Sequence, residues 1–146
     1  MIEYLRYRAK LAQLFRQKKT MRASYAEDIR KARKEGKSGD DIRSIESGSQ
    51  FEETMINEEV AILATDNLIE KARRRLIPIP SHDTDGMWEK CCVMDDRYVL
   101  SNQGISQLRS SLRKEQKERV ELVVQFLAPL IGIIGAVTGL VAVIMK

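Results

Sequence analysis

Apolar residues recur at three- and four-residue intervals through the first quarter of the chain: Leu11, Leu14, Phe15, Met21, Tyr25, Ile29 and Ala32. A second series, Met55, Ile56, Val60, Leu63, Ile69, Ala72 and Leu76, keeps the same rhythm. This one-sided spacing belongs to amphipathic helices and predicts two of them, over about residues 2–35 and 39–75. Between them lies "EGKSGDD". Gly36 suits the left-handed residue after a helix C-terminus, and Ser38 with Asp41 forms a capping-box pattern that opens the next helix. Two helices of matched length joined by so short a turn pack antiparallel, so residues 1–76 are expected to form a coiled-coil hairpin. Gly48, between two serines, is the weak point at which the second helix is expected to bend or split.

Helical spacing stops at "RRRLIPIPSHDTDG", where Pro78 and Pro80 remove backbone donors. Residues 77–101 read as a Pro-containing linker and a small element carrying Trp88, Cys91 and Cys92. Met87–Met94 is a short strand or helical turn, and Arg97–Leu100 a second strand turning at Asp95-Asp96. Ser101 can cap a further helix, with Ile105, Leu108 and Leu112 on its apolar side. No break separates that helix from the stretch 122–145, so a single helix from about residue 102 is expected, kinked at Pro129.

From Leu122 to Met145 there are 24 residues without a charge, bounded by Glu121 and Lys146. As a helix they would span roughly 36 Å, against a hydrocarbon core of about 30 Å. The expectation is one C-terminal transmembrane helix, with a basic juxtamembrane helix, 102–121, ahead of it. Arg109, Arg113, Lys114, Lys117 and Arg119 flank the apolar run on its N-terminal side and Lys146 alone on the other. Positive flanks stay cytoplasmic. The chain is therefore expected in the inner (plasma) membrane, its N-terminal domain cytoplasmic and its C-terminus on the far side. Ala128, Gly132, Gly135 and Gly139 place small residues along nearly one face of that helix, a surface for self-association in lipid.

Charge sharpens the picture of the hairpin. Residues 1–37 carry a net +8 and residues 38–70 a net −8, although the whole chain is only +4. A basic helix laid on an acidic one explains the asymmetry. The basic face could instead meet anionic lipid, or nucleic acid, which is not expected because the acidic partner cancels much of the field.

Candidate chemistry is sparse. The one histidine, His82, with Cys91 and Cys92 supplies three potential metal donors, but adjacent cysteines are poorly spaced for zinc and no fourth ligand is evident. No oxyanion-hole or phosphate-loop motif accompanies them. No catalytic residue, metal or cofactor is expected, and Glu52-Glu53 and Glu58-Glu59 read as a solvated or hairpin-pairing face. The adjacent thiols fit a reducing compartment. The solitary Trp88 is a candidate partner contact, or else a pin holding the small element to the hairpin.

The stretch "YVLSNQGISQLRSSLRKEQKERVELVVQFLAPLIGIIGAVTGLVAVI" resembles small, uncharacterised bacterial membrane proteins. In these a Leu-Ser/Thr-x-x-Gly-Ile start leads into a basic, Glu-rich helix and a Gly-rich final span. The resemblance covers the last third and implies a bacterial membrane protein without a known activity. The expected role is an oligomeric interaction or scaffold module at the cytoplasmic face, with the lipid bilayer, further copies of itself and an unidentified protein as partners. The alternative is a membrane-active effector, a toxin, holin-like or defence protein, whose Gly-faced spans assemble to permeabilise the membrane.

Overall fold

The computed structural model describes residues 2–94 and 96–144, with side chains described for residues 3–94, 96–129 and 131. The chain is mainly helical: α1 (Ile2–Lys34), α2 (Gly39–Arg74) and α3 (Asn102–Ile144), with a two-stranded antiparallel sheet of β1 (Trp88–Lys90) and β2 (Tyr98–Leu100) between the second and third helices in the chain. Met145, the expected end of the last helix, and Asp95, half of the expected strand turn, lie outside the described residues. α3 stays helical through Pro129.

α1 and α2 form the expected hairpin. Gly36 takes φ 68°, and the N–H groups of Gly36 and Lys37 return to the carbonyls of Arg33 and Ala32 to close α1. Ser38 then accepts from the Asp41 N–H while Asp41 accepts from the Ser38 N–H, the reciprocal capping box. Opposite charges meet across the seam: Lys10 with Glu59, Lys18 and Arg22 with Glu53, Arg33 with Glu46, and Glu3 with Arg74. Lys18 sits half-buried in line with Leu14 and Met21 and donates to Asn57 at 2.6 Å. A polar group inside an apolar seam disfavours slipped registers, because sliding would leave it unpartnered.

Three positions of the apolar stripes do not face inward. Phe15 is 54% exposed and Met55 is 37% exposed. Leu76 is not in α2 at all: it follows the C-cap Arg75 with φ 56° and is 91% exposed. Its N–H bonds the Arg73 carbonyl and that of Ile77 bonds Ala72, the same closing pattern that Gly36 makes without strain. The turn needed a left-handed residue at this point, and the sequence supplies a leucine where glycine is usual.

Gly48 neither bends nor splits α2, which runs unbroken past it. The Tyr25 ring lies over it, and its hydroxyl donates to Glu52 at 2.9 Å. A Cβ built on Gly48 would stand 3.5 Å from the Tyr25 oxygen, ordinary contact. Gly48→Ala is therefore expected to stabilise the chain by about 0.5–1 kcal/mol, by removing backbone entropy without a clash. A thermal melt followed by helical circular dichroism checks this. A loss of stability would mean that the Tyr25 ring cannot accept the methyl group.

The main core lies where α2, the sheet and α3 converge: Leu68, Ala72, Ile77, Leu100, Leu108 and Leu112. Val99 and Leu100 are both buried, so β2 is covered on both faces. The buried Thr65 hydroxyl of α2 accepts the Leu100 N–H at 3.0 Å and fixes β2 to that helix. From this core α3 leads straight into the uncharged run.

Candidate functional site

Three arrangements carry chemistry, and each draws on residues far apart in sequence. The first is the junction between the sheet and α3. Ser101 caps α3 by accepting the Gly104 N–H at 3.1 Å, and its own hydroxyl donates to the Gly86 carbonyl. The Ser101 N–H bonds the Met87 carbonyl at 2.9 Å. Gly104 lies against that same Met87 carbonyl, leaving no room for a side chain. The Leu-Ser-x-x-Gly-Ile sequence thus has a local reason: Leu100 and Ile105 pack on the core, Ser101 caps, and Gly104 permits close approach.

The second is a clamp on the loop joining the strands. The Glu58 carboxylate accepts the N–H groups of Cys92, Val93 and Met94, at 2.5, 3.1 and 3.0 Å to its nearer oxygens. Glu58 is therefore not part of the solvated or hairpin-pairing face expected for Glu58-Glu59, although Glu59 does pair with Lys10. Partial burial opposes its ionisation, but the three backbone donors outweigh that and hold its pKa below the ordinary 4.5. Glu53, bound by Arg22 and then Lys18, is lowered to about 2. Both groups bind fewer protons folded than unfolded below about pH 4.5, Glu53 down to about pH 2, so they contribute stability above that range and lose it as pH falls through their folded values. Urea midpoints are expected to be level from pH 5 to 7 and to drop between pH 4.5 and 2.5. Glu53→Gln and Glu58→Gln should each be less stable at pH 6 and show a shallower acid drop. An unchanged drop in both would assign acid sensitivity elsewhere.

The Glu58 carboxylate also bears on the neighbouring thiols. Cys91 is buried and Cys92 exposed, and neither is in a disulfide. Burial first, and Glu58 second, push the Cys91 thiol above its ordinary pKa, which keeps it protonated and poorly nucleophilic. His82 does not join them: its ring stacks on Trp88 with centroids 4.0 Å apart. Among the described residues no three His, Cys, Asp or Glu side chains gather where one metal ion could be held. Trp88 is half-buried against the core, and its indole N–H is shared between the carbonyls of Pro80 and Ser81 at 3.2 and 3.1 Å. It pins the proline linker to the sheet.

The third arrangement is a cleft of about 380 Å³ between α1, α2 and α3. Lys71 and Arg75 enter it from α2, Arg109 and Arg113 from α3, and Tyr7 and Asn67 complete its wall. No carboxylate lines it. Among the described residues none of these four cations makes a salt bridge, whereas Arg74 next door is held by Glu3 and Glu70. Arg75 donates to the Leu112 carbonyl at 3.3 Å and so ties the C-terminal end of α2 to α3. Of the expected juxtamembrane cations, the structure brings Arg109 and Arg113 into this cleft. Arg119 pairs with Glu115 and Lys117 with Glu121 along the helix, and Lys114 stands exposed. Lys71 and Arg75 were legible only as the point where the acidic helix turns basic.

Beyond residue 119 the described part of α3 is bare. Val120, Leu122, Val123, Val124, Phe126, Leu127 and Ile131 are all at least half exposed, Phe126 at 74%. Ala128 is exposed as well. Among the described residues no helix is long and apolar enough to cross a membrane. Most of the expected span, with Gly132, Gly135 and Gly139, lies outside the residues whose side chains are described. No protein-family model, curated protein or solved structure matches the chain.

Proposed function

We propose that this chain is a membrane-held interaction module. The α1–α2 hairpin and the sheet form a cytoplasmic body, and the uncharged segment 122–145 of α3 enters the inner membrane as one span. The observation that carries this reading is the continuity of α3: Leu108 and Leu112 are buried in the core, and the same helix runs on into an uncharged stretch whose described side chains, 122–129 and 131, are exposed. A helix apolar all round calls for lipid or other helices around it. A rigid helix rooted in the core would also couple the position of the span to the body, which suits a module that organises partners or further copies of itself.

Fractionation of cells expressing the full chain tests the proposal. The chain should stay in the membrane pellet through high salt and alkaline carbonate and be released by detergent. Ile131→Arg, near the middle of the segment, should shift it toward the soluble fraction, since a central arginine costs about 2.5–3.5 kcal/mol on insertion scales. Release of the unaltered chain by salt alone would defeat the reading. Light scattering in detergent then asks whether copies associate. Collapse of membrane potential on expression would move the role from scaffold to permeabilising effector.

A further inference from the structure

We propose that the cleft between α1, α2 and α3 is a binding site for a phosphate-bearing anion of two or more negative charges. Lys71, Arg75, Arg109 and Arg113 converge there from two helices without a carboxylate among them. Along the hairpin seam, by contrast, Lys10, Lys18, Arg22 and Arg33 of α1 are each paired with Glu46, Glu53 or Glu59 of α2. Four like charges lining one cleft repel one another. Glu3, Asp66 and Glu70 line only the adjoining groove beside Lys71, and no carboxylate within the cleft offsets the repulsion. An anion in the cleft would. Arginine forks match the oxygens of a phosphate in pairs, and three of the four cations are arginines.

The walls carry further polar and aromatic groups. Asn67 offers an amide, and Tyr7, Asn67 and Lys71 also line an adjoining groove in which Lys71 lies 5.8 Å from the centre of the Tyr4 ring. The phosphate could belong to a soluble molecule or to a lipid headgroup. With Leu122 at the hydrocarbon boundary, as the preceding proposal has it, Arg113 stands about 14 Å and Arg109 about 20 Å further along the helix. The headgroup layer is only about 5–8 Å deep on each side. That spacing favours the soluble source, although the site itself does not depend on the membrane reading.

The test uses the full chain in a neutral detergent and inorganic pyrophosphate as the probe, titrated by calorimetry at constant ionic strength. Saturable binding of one pyrophosphate per chain is expected. Arg109→Gln with Arg113→Gln should weaken it by about a hundredfold, and Lys71→Gln by about tenfold, the loss typical for each charge-assisted hydrogen bond removed. Lys114→Gln with Lys117→Gln removes the same net charge from outside the cleft and should bind as the unaltered chain does. All these side chains are exposed, and unchanged Trp88 fluorescence confirms that each variant is folded.

Equal losses in the two double variants would reduce the effect to net charge and overturn the proposal. The source is read by repeating the titration in phosphatidylcholine vesicles with and without phosphatidylglycerol. Equal pyrophosphate binding in both supports a soluble ligand, and loss of binding in the phosphatidylglycerol vesicles supports a lipid phosphate in the same cleft. If pyrophosphate does not bind and phosphatidylglycerol vesicles recruit no more chain than phosphatidylcholine vesicles, the cleft is not a phosphate site.

Discussion

Gly104→Ala should destabilise the folded body by about 2–3 kcal/mol, although alanine is the better helix former. The added methyl group would overlap the Met87 carbonyl oxygen and press on Leu100 Cδ2 at 3.0 Å. Neither neighbour can yield freely. The Met87 carbonyl holds the Ser101 N–H, Ser101 holds Gly86 and Gly104, and Leu100 is fixed through its own N–H to Thr65. Overpacking a site so constrained typically costs about 1–3 kcal/mol, while the gain in helix propensity is at most about 1 kcal/mol and smaller in a first turn. Trp88 begins β1 and is the chain's one tryptophan, so its fluorescence in a urea titration reports this junction directly. The same substitution at Gly48 is expected to have the opposite sign. If both variants moved in the same direction, backbone entropy and not the Met87 contact would govern Gly104.

Leu108→Ala should cost about 3 kcal/mol, the largest loss expected from one truncation. Leu108 is 1% exposed at the centre of the cluster formed by Leu68, Ala72, Ile77, Leu100 and Leu112. Removing a buried leucine forfeits its transfer free energy and leaves a cavity, a combined cost of about 2–5 kcal/mol. Few other buried apolar residues join α3 to α2, so the loss should loosen that contact before the hairpin melts. Limited proteolysis would show faster cleavage within residues 77–101 while the α1–α2 hairpin stays protected. Leu108→Met, which nearly keeps the volume, should cost under about 1.5 kcal/mol. Leu76→Ala is the natural control: a leucine at the edge of the same region, but 91% exposed, should change stability little. A comparable loss at Leu76 would contradict the placement of this core.

Much of the helical framework was legible in the order of residues. The spacing of Leu11, Leu14, Met21 and Tyr25 marks one face of α1, Gly36 and the Ser38–Asp41 box mark the turn, and Ser101 marks the start of α3. Errors arose where spacing alone is ambiguous. Phe15 neighbours Leu14, and a periodic pattern admits either as the inward residue; the partner helix decided for Leu14. Leu76 continues the α2 rhythm by number, yet the chain had already turned. Glu58 and Glu59 look alike in sequence, but successive helical residues point about 100° apart, so one meets α1 and the other the strand loop. In the basic cleft, Arg109 and Arg113 stood out as cations ahead of the apolar run, whereas their convergence with Lys71 and Arg75 required α3 to fold back onto α2.

By itself the sequence determined the helices, their caps, the antiparallel hairpin and the uncharged segment, because each depends on propensity, periodicity and charge between near neighbours along the chain. Only the tertiary structure decided which glycine is indispensable, which glutamate clamps a loop and which cations share a cleft. Those outcomes depend on distances between residues about 30 or more positions apart in two of the three cases, and for Gly104 on how a strand lies against a helix. Such distances are set by the packing of α2, the sheet and α3 around one small core.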